Sequence, residues 1–140
     1  MINKFFLIFV FSLISQMSYT QSYELEIKVT NIETVKGEIF SAVYNSQETF
    51  LVKKSAYKAS KVPVKSKIVI VNFKNIAEGE YSVALYHDIN SSGQMDRNML
   101  GIPKEDYGFS NINSIIFSRP SFEETKFYIK SDTSIVIELQ

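Results

Sequence analysis

The densest set of chemically able side chains in the sequence is HDINSSGQMDRN, residues 87–98. Within it Asp88, Asn90 and Ser92 stand at alternate positions, Gly93 follows, and then come the backbone carbonyl of Gln94 and the carboxylate of Asp96. A chain that curls about a point turns every second side chain inward, and a glycine lets it bend sharply with no Cβ in the way. Asp88, Asn90, Ser92, Gln94 and Asp96 thus match the first five ligand positions of a calcium loop, with glycine at the turn. A hard divalent cation needs several oxygens at similar distance, so the chemistry expected here is Ca2+ binding. The closing bidentate glutamate of such loops is replaced by Met99, and only Asp88 and Asp96 carry charge. Affinity is therefore expected at roughly 0.1–1 mM, the range of extracellular modules. Glu105 or Asp106 folding back would supply a further ligand. The same residues also form an Asx-rich turn if Asp88 and Asn90 bond their own backbone, and spacing leaves both readings open.

Catalysis finds fewer footholds. His87 is the single histidine and there is no cysteine, which removes the ordinary zinc site and the thiol nucleophile. Neighbouring strand residues point to opposite faces, so His87 and Asp88 cannot pair as a His-Asp couple, and there is no Gly-x-Ser-x-Gly elbow. No catalytic residue is assigned. His87 is expected at a strand end, bonding a loop carbonyl. Two acids converging in space would still permit a small carboxylate-dependent hydrolase acting on an extracytoplasmic substrate, which is the second function class. After the polar bend, RNMLGIPKEDYGFSN (97–111) has no periodic face and is long for a connection inside a compact domain. Tyr107 and Phe109 flank Gly108 and, with Asn111, make the expected interaction loop. Its aromatics either pin the segment to the sandwich edge or present a binding surface.

The elements that must position these residues read as strands. YELEIKVT (23–30) alternates strictly, the mark of a half-buried strand. GEIFSAVYN (37–45) carries Phe40, Ala42 and Tyr44 on one face and Ile39 and Val43 on the other, which predicts cover on both sides. KIVIVNFKNI (67–76) is β-branched and nearly continuous, as in a central strand, and AEGEY turns it at Gly79 into YSVALYHD (81–88). TKFYIK (125–130) and TSIVIEL (133–139) end the chain. Residues 45–66 show no sustained period; one helical turn fits there, and the lysine-rich part, Lys53 to Lys67, reads as a solvated crossover. The pattern predicts an all-β fold, an antiparallel two-sheet sandwich (immunoglobulin-like or prealbumin-like) of about seven strands, with a long loop after the strand ending at Asp88.

At the N-terminus Lys4 precedes the apolar run 5–14, followed by small and polar residues, the layout of a secretory signal peptide with cleavage expected after Thr20. Ten apolar residues fall well short of the roughly 20 needed to span a bilayer. The expected organisation is a signal peptide over 1–20 and a single β-sandwich domain over 21–140, exported to the periplasm, outer surface or extracellular space with no transmembrane anchor. Fifteen basic and fifteen acidic residues give no net charge, and no basic stripe offers a nucleic-acid partner. Without disulfides, a domain of this size must rely on its packing or on another staple such as an ion.

ALYHDINSSGQMDRNMLGIPKEDYGFSN followed by RPSFEETKFYI resembles the bacterial domain-of-unknown-function 2141 family. The resemblance rests on His87, Asp88, Asn90, Gly93, Asp96, residues 101–105 and 107–111, Pro120, Ser121, Phe122 and Phe127. Ser91 and Ser92 stand where members more often show Gly-Asn, and Thr125 where Ala is usual. The resemblance implies an exported β-sandwich. Together these features predict a non-catalytic binding or structural module with a calcium-stabilised loop and an exposed interaction loop. Carbohydrate or a cell-surface protein is the expected kind of partner, on fold-level analogy.

Overall fold

The computed structural model describes residues 21–114 and 118–140, so the expected signal segment lies outside the described residues. No described helix is long and apolar enough to cross a membrane. Two sheets face each other. The first has the order β4-β1-β8, with β1 (Ser22–Thr30) between β4 (Val69–Ala77) and β8 (Thr133–Glu138). β1 buries Tyr23, Leu25, Ile27 and Val29 and leaves the alternate residues wet, as its period of two requires. It pairs antiparallel with β4 and parallel with β8. β4 was expected at the centre of a sheet, yet it is an edge strand paired to β1, with Ile70 exposed. Its unbroken β-branched run satisfies strand propensity without cover on both faces.

The second sheet runs β3-β2-β5-β6, with β7 also paired to β5. Its members are β2 (Glu38–Tyr44), β3 (Lys58–Pro63), β5 (Gly79–Asp88), β6 (Tyr107–Phe109) and β7 (Phe127–Ile129). β3 occupies part of the stretch expected to be a solvated crossover: it is a strand, antiparallel to β2. Its lysines and Pro63 suit an exposed edge that must not recruit another chain. The helical turn admitted in that stretch is a 3-10 turn at Lys53–Ser55. A one-turn helix, α1 (Phe122–Thr125), begins at a capping box in which Ser121 and Glu124 satisfy each other's backbone N–H groups.

The main core lies between the sheets and includes Leu25, Ile27, Ile39, Val43, Val71, Val83, Leu85 and Ile137. Residues of β2 and β5 with the opposite parity point away from it. Phe40, Ala42, Tyr44 and Tyr86 build a second cluster on the outer face of the five-stranded sheet, joined by Phe50 from the β2–β3 connection and Phe122 from α1. One sheet therefore has two buried faces, which explains why β2 is apolar on both. At the corner where β2 begins, the backbone of Gly37 (φ +71°) presses so closely on β5 that a Cβ would lie 2.2 Å from the Asp88 carbonyl oxygen. His87 fixes the same corner, its Nε2 standing 2.6 Å from the Lys36 carbonyl oxygen.

Candidate functional site

β5 delivers Asp88 to its end on the outer face, almost wholly buried. A carboxylate withdrawn from water must be given donors, and the bend supplies them. Ser92 N–H donates to Asp88 Oδ1 and Gly93 N–H to Oδ2, both at 2.8 Å. Gly93 at φ +78° makes the sharp turn that brings those amides round. Asn90 Oδ1 also accepts from Ser92 N–H, at 3.0 Å, while Asn90 Nδ2 donates to Asp96 Oδ2 at 2.7 Å. Ser92 Oγ donates to the Gln94 carbonyl at 2.8 Å and accepts from Gln94 N–H at 3.2 Å. The side-chain oxygens proposed as metal ligands thus turn into the bend, where they meet its own donors. Among the described residues no group of three or more His, Cys, Asp or Glu side chains is placed to hold a metal ion.

Glu105 does fold back. It is 7% exposed, and its Oε1 and Oε2 accept from Ile89 N–H and Asp96 N–H, each at 3.1 Å. Asp106 contributes its backbone carbonyl, which accepts from His87 N–H at 2.8 Å. Asp88 and Glu105 together therefore clamp four amides of a segment that has no strand partner. Such charge-assisted bonds are worth about 1.5–3 kcal/mol each.

The segment from 97 onward, expected to lack regular structure, is a tight doubled-back turn. Arg97 bridges Pro103, Lys104 N–H donates to the Asp96 carbonyl at 2.8 Å, and Asn98 Oδ1 accepts from Leu100 and Ile102 N–H at 2.9 and 3.0 Å. Tyr107 and Phe109 pin the segment to the sandwich edge. They pair with β5 as β6 and join the outer aromatic cluster half-buried. Asn111 is not brought to that face; its Nδ2 donates to the Lys126 carbonyl at 2.6 Å and ties down the approach to β7.

The bend stands as one wall of a cleft of about 1190 Å³ whose floor is the outer face of β2, β5 and β6. Phe40 and Tyr86 lie with ring centroids 5.2 Å apart. Lys53 joins floor and wall: its Nζ sits 4.7 Å above the Phe40 ring, 3.4 Å from the Tyr86 hydroxyl, and donates to the Gly93 carbonyl. Tyr86 is pushed up to about 12 by burial, helped by the negative charges of Asp88 and Glu105 behind it. Burial also raises Tyr44, with the Arg119 cation pulling the other way. Arg119 itself donates to the Phe50 carbonyl at 3.3 Å.

Sequence reasoning predicted cover on both faces of β2 but missed the cleft built on the outer one. The available signal was Phe40 and Tyr44 on a strand already apolar on its other face, which marks a second covered surface on a sheet whose first is the core. The cations Lys53 and Arg119 come from segments without periodicity and carry no sequence signal of their own. His87, by contrast, is fully buried on the inner face, away from the cleft.

Comparison with known proteins adds one match. The family model described as an uncharacterized protein conserved in bacteria (DUF2141) covers residues 27–136. No curated protein and no solved structure matches.

Proposed function

The chain belongs to the DUF2141 family, and we propose that it is an exported, non-catalytic binding module whose recognition surface is the cleft on the outer face of the five-stranded sheet. The observation that carries this reading is the construction of the wall. Two buried carboxylates are committed to holding an otherwise unpaired loop beside an aromatic floor. Preorganised loops on a rigid sheet are the usual way of presenting a binding surface. The hydrolase alternative would need Asp88 and Glu105 free to move protons, and both are engaged by backbone amides.

Amide chemical shifts of the full chain test the reading, titrated with oligosaccharides, acidic peptides and single-chain lipids. A ligand is expected to move Tyr44, Ala84, Tyr86 and Phe109 together, and Ala84→Arg, placed on the cleft floor, is expected to abolish that response. Shifts confined to the three-stranded sheet, or a response unchanged in Ala84→Arg, would overturn it.

Calcium is the finer part of the proposal. Asp88, Asn90, Ser92, the Gln94 carbonyl and Asp96 would hold it; each oxygen keeps a lone pair beyond the one given to a donor, and the set is the all-oxygen one that a hard cation prefers. Hydrogen bonds already close the bend, so the ion reinforces the wall rather than creating it. With a Kd of about 1 mM, calcium at about 10 mM adds about 1.4 kcal/mol and raises the melting temperature by about 5 °C, reversed by chelator. An unchanged melt removes the ion.

A further inference from the structure

Resting on the binding reading above, we infer that the cleft takes an anionic single-chain lipid, its charged head at the cationic rim and its chain along the apolar wall. Lys53, Lys54, Arg97 and Arg119 line the cleft, and no Asp or Glu side chain does among the described residues. In a chain with fifteen charges of each sign, that is a local excess of positive charge beside apolar surface. Lys54 makes no hydrogen bond or ion pair among the described residues, so its ammonium is available to a ligand. Asp88 and Glu105 lie behind the wall, outside the lining, with their oxygens turned to the four amides they hold.

The apolar half of the argument is at the lip. Leu51, Met95, Leu100 and Ile102 line the cleft, yet Leu100 is 84% exposed and its neighbour Met99 fully so. Met99, Leu100 and Ile102 share one turn. The turn that carries them is fixed by Asn98 Oδ1 and by Arg97 Nη1, which donates to the Gly101 carbonyl at 2.9 Å. Holding large apolar side chains in water on a rigid turn is costly unless something apolar covers them, and an acyl chain leaving the cleft would do so.

Two other occupants fit less well. A sugar needs many uncharged hydrogen-bonding side chains, and the lining offers Gln94, Ser118 and tyrosine hydroxyls. An extended peptide binds best through an open strand edge, but the floor is a sheet face. β2 and β5 are paired on both sides, and the outer edge of β6 already exchanges hydrogen bonds with Gln140.

The test is calorimetric titration of the full chain with monomeric dodecanoate, alongside hexanoate, methyl dodecanoate, an oligouronate and an acidic peptide. Saturable dodecanoate binding is expected, with affinity at least about tenfold weaker for hexanoate, for the uncharged ester, and in Lys54→Glu/Arg119→Glu. Should the double variant melt early, Lys54→Glu with Lys54→Arg as rescue makes the same comparison. Absence of dodecanoate binding, equal affinity for the ester, or equal affinity in the charge-reversed proteins would overturn the inference. Binding of the oligouronate or peptide instead would overturn the lipid while keeping the cleft as a binding surface. Dodecanoate-induced amide shifts confined to the three-stranded sheet would overturn both readings.

Discussion

Gly37→Ala is expected to lower the melting temperature by more than about 10 °C or to prevent folding. At φ +71° an alanine bears the left-handed penalty, roughly 1–2 kcal/mol. The larger cost is steric. Its Cβ would lie 2.2 Å from the Asp88 carbonyl oxygen and 2.7 Å from Ile89 Cα, both backbone atoms held in the corner where β2 meets the end of β5. Relief requires parting the two strands exactly where Asp88 must enter the bend, so about 3 kcal/mol or more in total is expected, and a domain of this length loses several degrees per kcal/mol. Gly101→Ala provides the comparison: φ is +79° but nothing lies within 4 Å, so only the conformational penalty remains. Thermal melts of the two variants check the argument, and similar small losses in both would contradict it.

Asp88→Ala is the second large effect. It strands the Gly93 amide, at about 1–3 kcal/mol for a donor left unsatisfied, and takes the charge-assisted bond from Ser92 N–H, which keeps only Asn90 Oδ1. A loss of about 3 kcal/mol or more in denaturant melts is expected, with Asp88→Asn intermediate because one acceptor oxygen survives. Glu105→Ala removes the other pair of acceptors and is expected to behave alike. The double variant should cost less than the two losses added, since both clamp one segment. A catalytic pair would behave in the opposite way, losing turnover with stability kept. A midpoint unchanged in Asp88→Ala would show that the carboxylate does not hold the bend.

Much of the sandwich is legible in the sequence, because burial on one face imposes a period of two that Tyr23, Leu25, Ile27 and Val29 display without interruption. The inward turn of Asp88, Asn90 and Ser92 is legible for the same reason: an alternating polar run ending in glycine has few other ways to bend. What those oxygens meet is not legible, since an amide hydrogen and a cation call for the same acceptors. β3 and β6 escape the pattern because edge and three-residue strands are fixed by their partners rather than by their own residues. The central placement expected for β4 fails because β-branched continuity reports strand propensity, whereas sheet position depends on which strands return to flank it. The cleft is hidden most deeply. Phe40, Tyr86, Lys53 and Arg119 meet there only after four separate segments have been placed.

The central claim is that two buried carboxylates turn a segment with no strand partner into a fixed wall. Amide hydrogen exchange measures this most directly. Ile89, Ser92, Gly93 and Asp96 are predicted to exchange about a hundredfold or more slower than an unstructured chain, and Gly93, whose only acceptor among the described residues is Asp88 Oδ2, to lose that protection selectively in Asp88→Ala. Exchange of these four amides at free-chain rates, while β2 and β5 stay protected, would contradict the account.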